Sequence, residues 1–457
     1  MKTQSPFDEF FDQLNEDIPD HTFPRTTMSA FAAEATVNSE AWADAKPVMN
    51  LSSFVTTFTE PEAFEVLKKH YLKNYIDHDM YPQLFEMEGR MVRWLHDLWN
   101  GPKDAEPFGT ATIGSSEACM LAGLAHKWNW RKARQAAGLD ASRPNIVTGG
   151  NVQIVWKKFM RYFDVEPRIA ELAPNQYRLT TEHLEQLVDE NTTAVVAIAG
   201  QTFTGEDDDF RAIHDWLDDY EQRTGHNIPM HIDGASGGFV NPFLYPDYQW
   251  DFRLPRVQSI NASGHKFGLV PPGLGWLVFK DRKVFDEDLM FYVNYLGGEM
   301  PTATLNFSRN AAPVAYQYYV FLRLGFEGFR KIMQCTLDNS HYLRQRLLDS
   351  GYFDVLNATQ RIPVVALTLK EEFTNFNEFD VSFKVREKGW VLSAYSMPPK
   401  AESVNSLRIV VRPHLNHNVI KFLAEDIIHA CDWLKEHGGN ATPPKLHNPH
   451  QSSVSKC

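Results

Sequence analysis

The stretch Val257-Gln-Ser-Ile-Asn-Ala-Ser-Gly-His-Lys-Phe-Gly268 decides how this chain is read. A β-leaning run, Val257 to Ile260, gives way to small residues and then to the pair His265-Lys266. Gly268, Pro271, Pro272 and Gly273 follow, and then a second apolar run, Leu274-Gly-Trp-Leu-Val-Phe279. A lysine so placed sits on a tight connection between two buried strands. Burial disfavours an ammonium, so the free amine is more accessible than on a surface lysine. A lysine that forms a Schiff base needs that state.

Upstream lies Met230-His-Ile-Asp-Gly-Ala-Ser-Gly-Gly238, a short strand ending in a carboxylate and followed by small residues. In an open α/β sheet the carboxyl ends of strands face the ligand crevice. A buried aspartate is costly unless something cationic meets it. The protonated ring nitrogen of pyridoxal phosphate (PLP) is such a partner. Small residues after Asp233 let a flat ring lie close to backbone. His231 shares a strand face with Asp233 and reads equally as a satisfied core histidine.

Outward from this pair, strands alternate with helices. Asn145–Thr148, Thr193–Ala199, Ile228–Asp233 and the two runs around Lys266 imply a mostly parallel sheet covered on both faces. Gly109-Thr-Ala-Thr-Ile-Gly-Ser-Ser-Glu117 feeds a long helix, and hydroxyls at a helix start make a phosphate cradle. Helices are expected over 60–75, 83–99 and 207–220, the acids 206–209 forming a solvated helix start. A long helical region spans 310–348, broken near Gly325. Strands at 364–369, 390–396 and 407–412, with helices at 380–388 and 419–437, form a smaller α/β domain. Arg408 and Arg412 lie on one strand face, and either could serve a structural ion pair.

Near the start, Phe7, Phe10, Phe11, Leu14 and Ile18 line one face of an amphipathic helix whose other face is acidic. Its acidic face suggests a pH device: protonation removes repulsion and lets apolar faces bundle between subunits. Residues 19–47 read as connector, and 438–457 as a flexible tail. The expected domains are thus an N-terminal segment (1–47), a large domain (48–340), a small domain (341–437) and the tail.

The net charge of −13 argues against nucleic acid and anionic membrane as partners. Four scattered cysteines suit neither a metal site nor a disulfide framework, which points to the cytoplasm. No apolar run approaches membrane-spanning length.

Ser263-Gly-His265-Lys266, His231-Ile-Asp233-Gly-Ala235, Gly114-Ser115-Ser116-Glu and Asn306-Phe-Ser308-Arg together resemble the PLP-dependent glutamate decarboxylases of bacteria and plants, from about residue 50 to 437. The resemblance implies the type I PLP fold, with a seven-stranded sheet and a small C-terminal domain. It implies decarboxylation of L-glutamate to 4-aminobutyrate in hexamers built from dimers. Lys266 would hold the cofactor covalently and Asp233 its ring nitrogen. Ala235 would pack on one ring face and Gln153 on the other. Ser115, Ser116 and His265 would bind phosphate, helped by Ser308 of a neighbouring subunit. Thr202 would meet the ring hydroxyl. Arg408 would take the substrate α-carboxylate. Ser53, Phe54, Asn74 and Asp77 would shape the distal-carboxylate pocket. Asp77 beside a carboxylate is a like-charge pair in which one member must hold a proton, so substrate binding should improve in acid.

Two departures stand out. The penultimate residue is Lys456, where some bacterial members carry a histidine that shuts the site. Residues 438–457 lack tryptophan, so calmodulin is not an expected partner. Competing readings are a PLP-dependent lyase acting on another amino acid, and a catalytically silent scaffold.

Overall fold

The structure, a computed structural model, describes residues 12–14, 17–295 and 298–441. They fall into two compact units, Met1–Met49 and Asn50–Cys457. The first contains α1 (Ala30–Glu40), started by Ser29, whose Oγ accepts the Ala32 amide at 3.2 Å. Residues 19–47 are therefore not all connector. A serine cap before an alanine-rich run favours helix without any apolar stripe. Most of the expected amphipathic helix, including Phe7, Phe10 and Phe11, lies outside the described residues, as does the tail beyond 441.

The second unit opens with α2 (Pro61–His70) and α3 (Pro82–Leu98). Both carry proline in the first turn, where the missing N–H costs nothing. α2 stops at His70 rather than running to 75. Tyr75 is buried instead, with its hydroxyl 2.6 Å from Glu88 and its amide bonded to the Arg309 carbonyl. Then come β1 (Phe108–Thr112), α4 (Gly114–Ala136), β2 (Asn145–Gly149), α5 (Ile154–Tyr162), β3 (Glu166–Ala170), α6 (Thr181–Leu187) and β4 (Thr192–Ile198). They are followed by α7 (Phe210–Thr224), β5 (Met230–Asp233), α8 (Asn241–Leu244), β6 (Val257–Ala262) and β7 (Gly275–Phe279).

Among the described residues these strands form one seven-stranded sheet, ordered β1-β7-β6-β5-β4-β2-β3. The run from β6 to β3 is parallel, while β7 is antiparallel to both its neighbours. β4 is buried along its whole length, as its Ala-Val-Val-Ala-Ile run demands of a strand covered on both faces. α4 lies close to α5 because its inner face is small. A Cβ at Gly123 would fall 2.5 Å from the Phe159 ring.

α7 begins at Phe210, and of the four acids before it only Asp209 is exposed, capping the helix by accepting from Ala212 N at 3.1 Å. Glu206, Asp207 and Asp208 are buried, which overturns the expected exposed helix start. Their carboxylates are spent on backbone: Asp207 accepts from Gly200 N at 2.7 Å, and Asp208 from Ile198 N at 2.8 Å and Leu179 N at 3.0 Å. Burial pushes Asp207 up to about 7 and Asp208 to about 6.

Beyond the large sheet, β8 (Phe291–Val293) and β9 (Met300–Thr302) pair as a hairpin. α9 (Ala312–Asp349) follows, kinked at Gly325 (φ 54°, ψ −168°) where the sequence break lies. It runs through residue 340, so the expected large–small boundary falls inside a helix. Finally β10 (Phe353–Val355), β11 (Val364–Leu369), α10 (Glu378–Val385), β12 (Ser393–Ser396), β13 (Asn405–Val410) and α11 (His417–His437) build an antiparallel sheet ordered β10-β11-β13-β12 with its helices.

Candidate active site

The connections leaving the carboxyl ends of β2, β4, β5 and β6, with the start of α4, surround a cavity of about 230 Å³. Its walls include Ser115, Ser116, Gln153, Thr202, Asp233, Ala235, His265 and Lys266. Larger grooves of about 590 and 810 Å³ lie elsewhere, but neither brings a buried lysine beside a buried aspartate.

Lys266 follows β6, its amide bonded to the Ser263 carbonyl at 3.2 Å. Its Nζ lies 3.4 Å from Ser236 Oγ and 5.0 Å from the Phe54 ring centroid. The residue opens partly to the cavity, yet its amine is enclosed. Burial pulls the ammonium below the ordinary lysine value, with Asp233 opposing.

Asp233 ends β5, directly across from Asn261 of β6. Trp156 Nε1 donates to Oδ2 at 2.9 Å, and Asn261 Nδ2 and the Ala235 amide donate to Oδ1, each at 3.2 Å. His231 has both ring nitrogens engaged, with Ser259 Oγ at 2.7 Å and Asn261 Oδ1 at 2.8 Å. It is thus a satisfied core histidine that also adjoins the site.

The cradle at the start of α4 depends on two glycines. Gly114 has φ +74°, and a Cβ there would meet His265 Cε1 at 3.1 Å. A Cβ on Gly275 of β7 would strike the Gly114 carbonyl carbon at 2.3 Å. Strand and helix start therefore touch backbone to backbone. Ser115 Oγ meets Ser263 Oγ at 2.7 Å. His265 Nδ1 is buried with no partner, and burial lowers its pKa to about 4. A buried orphan nitrogen beside hydroxyls and helix N–H groups suits an anionic ligand.

Gln153 lines the cavity but caps α5, its Oε1 accepting from Val155 N at 2.7 Å. Arg408, in the middle of β13, is buried. It donates to the carbonyls of Thr202 and Ser52, each at 2.5 Å, and to Ser393 Oγ at 3.1 Å. Its Nε is orphaned, and among the described residues no carboxylate lies within ion-pair distance of it. Its guanidinium carbon is 5.0 Å from the Phe54 ring centroid, the same distance as the Lys266 amine. Arg412 instead holds the carbonyls of Val55 and Asn50. Ser53 Oγ accepts from Val55 N at 3.1 Å.

Six expected residues are absent from the lining of this cavity: Ser53, Phe54, Arg408, Asn74, Asp77 and Ser308. Asn74, Asp77 and Ser308 gather with one another: Asn74 Nδ2 reaches Ser308 Oγ at 3.4 Å, and the Asp77 amide bonds to the Asn74 carbonyl at 3.2 Å. One carboxylate oxygen of Asp77 is buried without a partner. Sequence reasoning also missed Trp156, Asn261, Ser263, Ser236 and Ser393. The alternation of Ser259 and Asn261, continued by Ser263 just past the strand, was a visible signal of polar side chains on one face of a buried strand.

The model of the pyridoxal-dependent decarboxylase conserved domain matches residues 28–370. The chain belongs to the pyridoxal-dependent decarboxylases. It is 42% identical over 435 residues to glutamate decarboxylase of Solanum lycopersicum, covering 95% of this chain and 86% of that one. It is 41% identical to glutamate decarboxylase beta of Listeria monocytogenes, covering 96% and 94%. The solved glutamate decarboxylase of Lactobacillus brevis superposes with a TM-score of 0.89 at 37% identity, covering 92% and 96%. This decarboxylase has the type I PLP fold. Its cavity fits PLP: an enclosed lysine amine, a buried carboxylate, and an orphan nitrogen beside a helix start for a phosphate.

Proposed function

We propose that this decarboxylase converts L-glutamate to 4-aminobutyrate and carbon dioxide, taking up one proton. The observation that carries the assignment to an amino-acid carboxylate is Arg408. A buried guanidinium with no acid partner favours a ligand that brings a carboxylate. Near-full-length similarity to glutamate decarboxylases of plants and bacteria supports glutamate as that ligand.

PLP, when bound, supplies an electron sink for the carbanion left by carbon dioxide. Lys266 would hold it covalently, with Asp233 as the acid for its ring nitrogen. Ala235, Gln153 and Thr202 would line the space for the ring, and Ser115, Ser116 and His265 would hold the phosphate. Arg408 would bind the α-carboxylate and orient the bond to be broken. The Phe54 ring lies 5.0 Å from both the Lys266 amine and the Arg408 guanidinium, with Ser53 beside it in the chain. Residues 48–340 supply the cofactor seat, and 341–437 supply Arg408.

Asn74, Asp77 and Ser308 serve the site of a second copy. Their separation from Lys266 within one chain supports this, as does the unpartnered Asp77 oxygen. The working state is a homodimer that builds a hexamer. The cytoplasm suits three described cysteines that are free, and no helix among the described residues is long and apolar enough to cross a membrane.

A panel of amino acids incubated with the PLP-loaded protein at acid pH tests the assignment. Glutamate alone should yield carbon dioxide, with 4-aminobutyrate formed in equal amount. Release from another amino acid in preference to glutamate would overturn it.

A further inference from the structure

Behind Asp233 the sheet carries a chain of polar side chains, all buried. Asn261 Nδ2 donates to Asp233 Oδ1, which fixes the orientation of the Asn261 amide, because the opposite flip would set two acceptor oxygens together. Asn261 Oδ1 therefore accepts, and His231 Nε2, at 2.8 Å, carries the hydrogen. Burial lowers the His231 pKa to about 4, so the ring is neutral and its Nδ1 accepts the Ser259 hydroxyl at 2.7 Å. Ser259 Oγ then accepts from His126 Nε2, also at 2.7 Å. His126 belongs to α4, burial lowers its pKa to about 3, and it borders a surface groove on the far side from the cofactor cavity's residues. Every donor points the same way, from His126 to the carboxylate. The Trp156 indole packs 5.3 Å from the His231 ring and donates to the other carboxylate oxygen.

Burying four polar side chains in a sheet centre is expensive unless each is fully engaged. Apolar residues would fill the same space without that demand. We propose that His126, Ser259, His231 and Asn261 form a one-way hydrogen-bond relay that positions Asp233 for the ring nitrogen of PLP, so that a break remote from the cavity is felt at the cofactor. These are positioning residues, since none but Asn261 touches Asp233. The proposal rests on PLP occupying the cavity with its nitrogen toward Asp233.

The test is Ser259→Ala, which cuts the relay two links from Asp233 and touches no cavity wall. Full-length protein stripped of cofactor is titrated with PLP and, separately, with an analogue whose ring nitrogen is replaced by carbon. Losing both of the Ser259 hydroxyl's hydrogen bonds should weaken PLP about fivefold and leave the analogue's affinity unchanged, because the analogue offers Asp233 nothing to hold. His126→Phe, at the far end of the relay, should show the same selectivity in smaller degree and stands in if the serine variant does not fold. Equal losses for PLP and analogue would mean that the chain only packs the sheet, and the relay would be overturned. No loss with either variant would also overturn it. Failure of the wild-type chain to prefer PLP over the analogue would strike the prior assumption, the placement of the ring nitrogen at Asp233.

Discussion

The surroundings of Asp233 and those of Asp77 make an instructive pair. Asp233 is met by indole, amide and backbone donors, all from its own chain. Asp77 keeps a buried oxygen with no partner, in a cluster with Asn74 and Ser308 that stands apart from Lys266. One carboxylate is fully provided for by one polypeptide, and the other is not. The cofactor seat is thus complete within one chain, whereas the proposed distal wall of the pocket needs a second copy to bring Asp77 to a site.

The largest expected effect falls on the finished side. Lys266→Ala should lower glutamate turnover by a thousandfold or more, on the order seen when a covalent group is removed, and should abolish the cofactor's attached absorbance. Retention of that absorbance would show that another amine holds PLP. Arg408→Lys should cost about a hundredfold in kcat/KM, since an ammonium cannot reproduce a planar fork; steady-state kinetics with glutamate measures it. The contrast itself is tested by mixing two inactive chains, Lys266→Ala and Asp77→Ala. If Asp77 acts across a subunit boundary, random pairing restores about a quarter of the sites. Activity no higher than the sum of the parents would return Asp77 to its own chain.

The smallest effect concerns stability. Asp207 and Asp208 titrate higher in the folded state than in the unfolded chain, where Asp lies near 3.9. Their contribution is fully present below about pH 4 and fades as pH rises through about 6 to 7. Thermal melts of Asp207→Asn against wild type should differ in slope by at most about 1.4 kcal/mol per pH unit across that window. Parallel pH profiles would show that Asp207 is not buried as described.

Much of the finished side was legible in the sequence because it is local. The stretch from Val257 to Gly268 contains a strand buried along nearly its whole length, its turn and its lysine. The two aspartates at 207 and 208 were misread because an acidic run before an amphipathic helix has the composition of a solvated cap. Only tertiary structure reveals that backbone amides of distant segments need those oxygens. α2 was overextended for a similar reason, since the pull on Tyr75 comes from Glu88 and Arg309. Trp156 gave no signal at all, because its indole reaches Asp233 from a helix packed on the sheet.

Arg408 grips the carbonyls of Ser52 and Thr202 while standing on β13 of the small sheet. One side chain therefore knots three remote lengths of polypeptide at the mouth of the cavity. A carboxylate that took part of that guanidinium would compete with the carbonyls of Ser52 and Thr202 for the same few N–H donors.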